Sequence, residues 1–205
     1  LNNNLWVFGG EVGNFAGYSD LWKYDITTNE WTWMKGPNTT GNNGVYGVQG
    51  VPGILNNPGG RWEAAGSWTD NAGDLWLFGG YNGVPWNDLW RYNIATNEWT
   101  WMKGSPFSGA TSVFGNLGVE DPANTPSSRG SYSRWKDLNG NLWLFGGDIY
   151  GQKDDMWKYN PLSNNWVWMS GDTLPGAIPN HGNKCVSSPS NTPGDRMENR
   201  ACWTD

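Results

Sequence analysis

The chain has 205 residues, of which 16% are charged, 30 are Gly and 17 are Trp, and its formal net charge is −6. That acidity argues against nucleic acid and anionic membrane surfaces, which require a basic face, and no apolar run approaches the ~20 residues of a spanning helix. An aromatic content of 15% argues against disorder and for short strands, tight turns and ring-filled interiors.

In chain order, Leu5-Trp6-Val7-Phe8 reads as a strand ended by Gly9-Gly10. Leu21-Trp22-Lys23-Tyr24 and Trp31-Thr32-Trp33-Met34 follow as two more. A connection of 25 positions runs from Gly36 to Arg61. The next strand is expected over 61–69, followed by the turn cluster Asp70-Asn71-Ala72-Gly73. A strand over 75–78 is stopped by Gly79-Gly80, another covers about 88–92, Thr96-Asn97 turns the chain, and 98–102 closes the group. Segments this short, bounded by Gly, Asn and Asp, are strand signals. Trp99 and Trp101 lie two apart and share a sheet face, as do Trp76 and Phe78. No stretch sustains a 3.6-residue period, so almost no helix is expected. The same phrases return at Leu142, Met156 and Trp166, between connections Gly104–Arg129 and Gly171–Arg196 of the same 25-position spacing. The chain closes on Ala201-Cys202-Trp203-Thr204-Asp205, which repeats the text around Ala65 to Asp70.

A unit of about 68 residues (Trp31 to Trp99) is therefore written three times. The long connections align internally as well, through Gly47, Gly115 and Gly182, through Asn56, Asn124 and Asn191, and through Pro58, Pro126 and Pro193. Constant length and register imply an ordered loop belonging to each unit. Four antiparallel strands per unit, repeated about an axis, make the blades of a β-propeller. Three further marks recur: a Gly pair after an apolar strand, a Tyr, and a Trp seven positions after it. They are Gly9-Gly10, Tyr24, Trp31; Gly79-Gly80, Tyr92, Trp99; and Gly146-Gly147, Tyr159, Trp166. On these marks the chain resembles the kelch repeat family. The resemblance implies a ring of blades closed by mixing first and last strands in one blade, and binding or scaffolding more often than catalysis.

The expected fold class is thus all-β, a kelch-type propeller segment over 1–205. Its blades are 61–104, 129–171, and a split blade joining 1–36 to 197–205. Propellers run to about four to eight blades, so three cannot close alone. A homo-oligomer (a dimer forming six blades), further blades of a longer chain, or an extracellular filament built head to tail would satisfy the free strand edges.

Repetition assigns most chemical candidates to structure. Fifteen of the 17 Trp occupy five aligned positions and read as contacts between blades. Asp20, Asp88 and Asp155 precede the third strand of each unit and read as turn acceptors of backbone N–H. Arg61, Arg129 and Arg196 read as partners for carboxylates or carbonyls. Trp62 and Trp86 break the pattern, and with Tyr18, Tyr81, Tyr150 and His181 they are the ligand-binding candidates, on the face carrying the longer loops. His181 aligns with Tyr46 and Phe114, which also suits a purely structural ring. One His cannot make a multi-His metal site. Asp148, Asp154 and Asp155 lack calcium-loop spacing, and no metal or cofactor is expected. Copper oxidases that share the kelch fold use a His and a Cys-linked Tyr set that this chain does not supply. Cys185 and Cys202 are novelties of one unit, and a disulfide between them, stabilising by roughly 3 kcal/mol, would imply an oxidising extracellular compartment. Asn38-Thr39-Thr40 is a glycosylation sequon. The expectation is a non-catalytic extracellular module for protein or glycan binding or scaffolding, with a carbohydrate-active enzyme as the alternative.

Overall fold

The computed structural model describes residues 4–13, 15–63, 65–147, 151–197 and 201–205. Among these there is no helix, and the strands form three open antiparallel sheets. The first holds β1 (Leu5–Glu11), β2 (Gly17–Asp25) and β3 (Glu30–Lys35) in that order. The second holds β4 (Gly66–Thr69), β5 (Leu75–Tyr81), β6 (Pro85–Asn93) and β7 (Glu98–Lys103). The third holds β8 (Ser133–Lys136), β9 (Leu142–Phe145), β10 (Met156–Asn160) and β11 (Asn165–Ser170).

Turn chemistry explains the hairpins. Asn97 and Asn164 sit at positive φ (57° and 56°) and accept the phenol O–H of Tyr92 (2.8 Å) and Tyr159 (2.7 Å). The Asp70 and Asp137 carboxylates collect backbone N–H groups of their own turns and the indole N–H of Trp76 and Trp143, each at 2.8 Å.

The strand boundaries depart from the sequence expectation in two places. The Gly pairs do not stop their strands in the first two units. Each makes a bulge, with the register shifting between Phe8 and Gly10 and between Phe78 and Gly80, and pairing then resumes to Glu11 and Tyr81. Second, the strand expected over 61–69 begins only at Gly66. Arg61 belongs instead to a seam with the preceding sheet, its N–H donating to Tyr18 O (3.3 Å) and its carbonyl accepting from Gly10 N (2.9 Å). Gly10, at the bulge, supplies one of that seam's hydrogen bonds.

Each sheet stacks on the next through the same rings. Trp6 meets Tyr92 (5.8 Å between centroids) and Phe8 meets Trp99 (5.7 Å); one unit on, Trp76 meets Tyr159 (5.4 Å) and Phe78 meets Trp166 (5.4 Å). Strand alternation sends Leu142 and Leu144 toward the second sheet, where they join the buried cluster of Trp76, Phe78, Tyr159 and Trp166. The long connections are ordered. Each folds on itself (Val45 against Asn57, Val113 against Thr125, Asn180 against Thr192). The first two then lie along the last strand of the following sheet, with Gly50 N donating to Trp101 O and Gly118 N to Trp168 O, both at 2.8 Å.

Gly104 shows how tight this scaffold is. Its φ is +82°, and a Cβ there would collide with the Asn87 carbonyl. Gly104→Ala is expected to destabilise by about 2 kcal/mol. Gly50→Ala, at φ +78° but with nothing within 4 Å of the added atom, costs less, and Cys185 already occupies the aligned position at φ +64°. Thermal melts of the two variants check this difference.

Cys185 is an exposed thiol and Cys202 a half-buried one that donates to Arg134 O at 3.5 Å, beside β8. The first sheet has three strands, and 201–205 is in no strand.

Candidate functional site

Where the connection through 60–63 crosses the β1–β2 and β5–β6 hairpins, four of the six sequence-derived candidates gather. The Arg61 guanidinium lies at their centre, 3% exposed. Its Nη2 donates to Asp88 Oδ2 (2.5 Å), its Nε to Gly79 O (3.1 Å), and its Cζ stands 4.6 Å from the centroid of the Trp86 ring, a cation–π distance. Trp86 is held in plane by its indole N–H, which donates to Asn82 Oδ1 at 2.7 Å. Trp62 meets Tyr81 edge to face at 6.1 Å, and its N–H donates to Tyr81 O at 3.1 Å. Tyr18 joins through its carbonyl, which accepts from Arg61 N. All four rings are half-buried.

The remaining candidates are not part of this cluster. His181 lies exposed on the third long connection, and Tyr150 lies outside the described residues. The longer β5 and β6 also change the setting. Only residues 82–84 separate them, so Tyr81 and Trp86 stand on strands rather than on a loop. Sequence reading missed Asn82 as the group that orients Trp86; a polar residue four positions before a unique Trp was the available signal.

The carboxylates most suited by position to chemistry are committed elsewhere. Asp88 accepts from Arg61, from Trp90 Nε1 (2.8 Å) and from the Tyr46 hydroxyl (2.8 Å). Asp155 accepts two bonds from Arg129 (2.6 and 2.8 Å) and one from Trp157 Nε1 (2.8 Å). These repeated aspartates thus bind side-chain cations and indoles, where turn N–H groups were expected. Burial pushes the Tyr46 phenol well above its ordinary range, and the charge on Asp88 adds to the push. Burial also works against ionised Asp155, but Arg129 outweighs it and holds the carboxyl below the usual range. Asp154 accepts from Asp172 N (2.8 Å) and Thr192 Oγ1 (3.2 Å). Among the described residues, no three His, Cys, Asp or Glu side chains gather into a metal-binding group. The site therefore offers flat ring faces, one amide and a neutralised cation, which is the chemistry of stacking and hydrogen bonding.

A second surface feature repeats the theme one unit on. A groove of about 360 Å³ lies between the second and third long connections, lined by Pro85, Phe114, Ser128, Lys153 and Pro175 among others.

No family profile matches the chain, and no curated protein matches it. Among solved structures, 115 chains match. One is described as a novel fungal alcohol oxidase with catalytic diversity among the AA5 family, in complex with copper. It is 17% identical, with a TM-score of 0.44, over 81% of this chain. The chain spans 28% of the length of that oxidase, and so slight a likeness carries neither fold nor activity across.

Proposed function

We propose that this chain is a kelch-type β-propeller segment that acts as a non-catalytic, extracellular binding or scaffolding module for a glycan or protein and assembles through its two ends. The observation that supports the architecture is the repetition of one sheet-to-sheet contact, Trp6–Tyr92 with Phe8–Trp99, then Trp76–Tyr159 with Phe78–Trp166. Successive sheets related by one recurring contact are what a ring of blades requires. The binding reading rests on the edge-to-face Trp62–Tyr81 pair and on the Trp86 ring held against Arg61. Indole faces stack on the apolar C–H surface of sugars, and aromatic side chains dominate protein-recognition patches. Neutralisation of Asp88 and Asp155 by buried arginines supports a non-catalytic role. The extracellular reading is supported by Asn38, which opens a glycosylation sequon and stands exposed on the first long connection.

A glycan array probed with the wild type and with the Trp62→Ala/Trp86→Ala double variant tests the binding reading. Specific hits that weaken at least about ten-fold in the variant, roughly 1.4 kcal/mol, are the expected result. Unchanged hits in the variant would assign recognition to another surface. An array without hits, together with no interaction across a panel of purified secreted proteins, would refute the binding reading.

A further inference from the structure

In the groove between the second and third long connections the repeat keeps its backbone and changes its chemistry. The groove holds about 360 Å³ and is lined by Ser112, Phe114, Ser127, Ser128, Lys153 and Pro175 among others. Gly60, Ser128 and Asp195 are aligned, and each donates its N–H across its own connection, to Asn42 O (3.1 Å), Ala110 O (2.8 Å) and Ala177 O (3.0 Å). Tyr18, Trp86 and Lys153 are aligned too, and their carbonyls accept from the N–H of Arg61, Arg129 and Arg196 (3.3, 2.9 and 3.1 Å). The same backbone thus forms around three different side chains at each position.

The second connection carries hydroxyls where the first carries glycine: Ser112 aligns with Gly44, Ser127 with Gly59 and Ser128 with Gly60. Each hydroxyl oxygen accepts one N–H, Ser112 from Ser127 N (2.8 Å), Ser127 from Arg129 Nη2 (3.0 Å) and Ser128 from Ala110 N (2.8 Å). No acceptor among the described residues takes their O–H protons. A hydroxyl donates as well as accepts, so each keeps a donor for a guest, even Ser127, which is 8% exposed. Among the described residues lining the groove, Lys153 is the one charged side chain, in a chain of net charge −6. No carboxylate among the described residues pairs with it. Phe114 and Pro175 add apolar wall, and the Phe114 ring is held by Trp157 (5.3 Å) and Trp168 (5.0 Å).

We infer that this groove binds a carboxylate-bearing sugar, a uronate. Lys153 takes the carboxylate, Ser112, Ser127 and Ser128 donate to ring oxygens and hydroxyls, and Phe114 and Pro175 take the C–H face. One ammonium matches one carboxylate, whereas the second charge of a phosphate would go unmatched. A charge-assisted hydrogen bond is about twice as strong as a neutral one, so Lys153 dominates the affinity. The volume lies within the range of about 300–1,000 Å³ usual for small-ligand sites. The inference deepens the glycan reading above and rests on it: it names a ligand class and places it one unit on from Trp86, whose aligned position Lys153 holds.

Isothermal titration calorimetry at about 0.15 M salt, where exposed charges are screened beyond about 8 Å, tests this. The probes are oligomers of galacturonate, glucuronate and mannuronate, each as free acid and as methyl ester, and an oligoglutamate of equal charge. At least one acid is expected to bind, and its ester to bind at least about ten-fold more weakly. Lys153→Met is expected to lose the acid by a similar factor, and Lys153→Arg, which keeps the charge, to bind it more tightly than Lys153→Met. Ser128→Gly, which puts in the residue of the first unit, is expected to weaken binding about three-fold. No binding of any acid, an ester that binds as well as its acid, a Lys153→Met that binds as wild type does, or oligoglutamate bound as tightly as the best uronate would each overturn the inference. The ester comparison uses the wild type alone and decides the matter should Lys153→Met misfold. A wild type that binds neutral glycans and no uronate defeats this inference alone; one that binds no glycan of either kind defeats the glycan reading with it.

Discussion

Replacing Arg129 by alanine is expected to destabilise the fold by about 3–5 kcal/mol, the range for removing one partner of a buried ion pair. The guanidinium is 0% exposed and every donor is used. Nη1 and Nη2 grip both oxygens of Asp155 at 2.6 and 2.8 Å; the remaining bonds go to Gly146 O, Ser127 Oγ and Ser127 O at 3.0–3.2 Å. Without it, Asp155 keeps a single bond, from Trp157 Nε1, in a site that water does not reach. At a few degrees per kcal/mol for a chain of this size, the melting temperature falls by about 10 °C. Denaturant titration of Arg129→Ala measures the loss directly. Arg61→Ala is expected to cost less, because Arg61 holds only one oxygen of Asp88, which also keeps the Tyr46 hydroxyl.

The pH dependence has a definite sign. The folded-state pKa of Asp155 lies below the ordinary value of 3.8 because Arg129 outweighs burial. The stabilisation this pair contributes is therefore complete above the unfolded carboxyl pKa and is lost as pH falls through the folded value. In Arg129→Ala, burial outweighs the remaining Trp157 bond and the more distant Lys153 and raises the same carboxyl, so protonation relieves the variant. The stability gap between wild type and variant narrows below about pH 4, and titrations at pH 7 and pH 3 read it. A gap that widens in acid would contradict the assignment.

Trp166→Ala is expected to cost about 3–5 kcal/mol, whereas Trp31→Ala, at the aligned position of the first unit, stays within about 0.5–1 kcal/mol. Trp166 is 0% exposed and touches Phe78 (5.4 Å), Tyr159 (5.1 Å) and Trp157 (6.4 Å). Trp31 retains one ring contact, Tyr24 at 4.9 Å. Trp166→Phe is expected to cost less than its area suggests, because the Trp166 indole N–H is buried without a hydrogen bond and its removal relieves a desolvated donor. Equal losses for Trp166→Ala and Trp31→Ala would mean that the exposed face of the first sheet is covered even in the single chain.

These two tryptophans mark the limit of what is legible in a repeat. Aligned words predict the same local structure, and β3, β7 and β11 are indeed six-residue last strands of their sheets. Whether each is buried depends on which sheet stands beside it, and no local pattern records that. The candidate site divides in the same way. Trp62 and Trp86 were legible as residues that break the repeat, whereas their meeting around Arg61 depends on a seam 25 residues from the preceding sheet's last turn.

What the sequence by itself determined is the local layer: all-β strands from two-residue alternation, hairpins from Asn and Asp turn chemistry, and a threefold unit from the spacing of its rings. These follow from interactions between residues near one another in the chain. The tertiary structure alone decided that the Gly pairs of the first two units are bulges rather than strand ends, that the first two long connections lie on the next sheet, and that Trp166 is buried while Trp31 is exposed. Those outcomes rest on contacts between residues some 40 to 70 positions apart, such as Asn56 with Trp99 and Trp68 with Trp135; only the assembled fold brings such partners within reach.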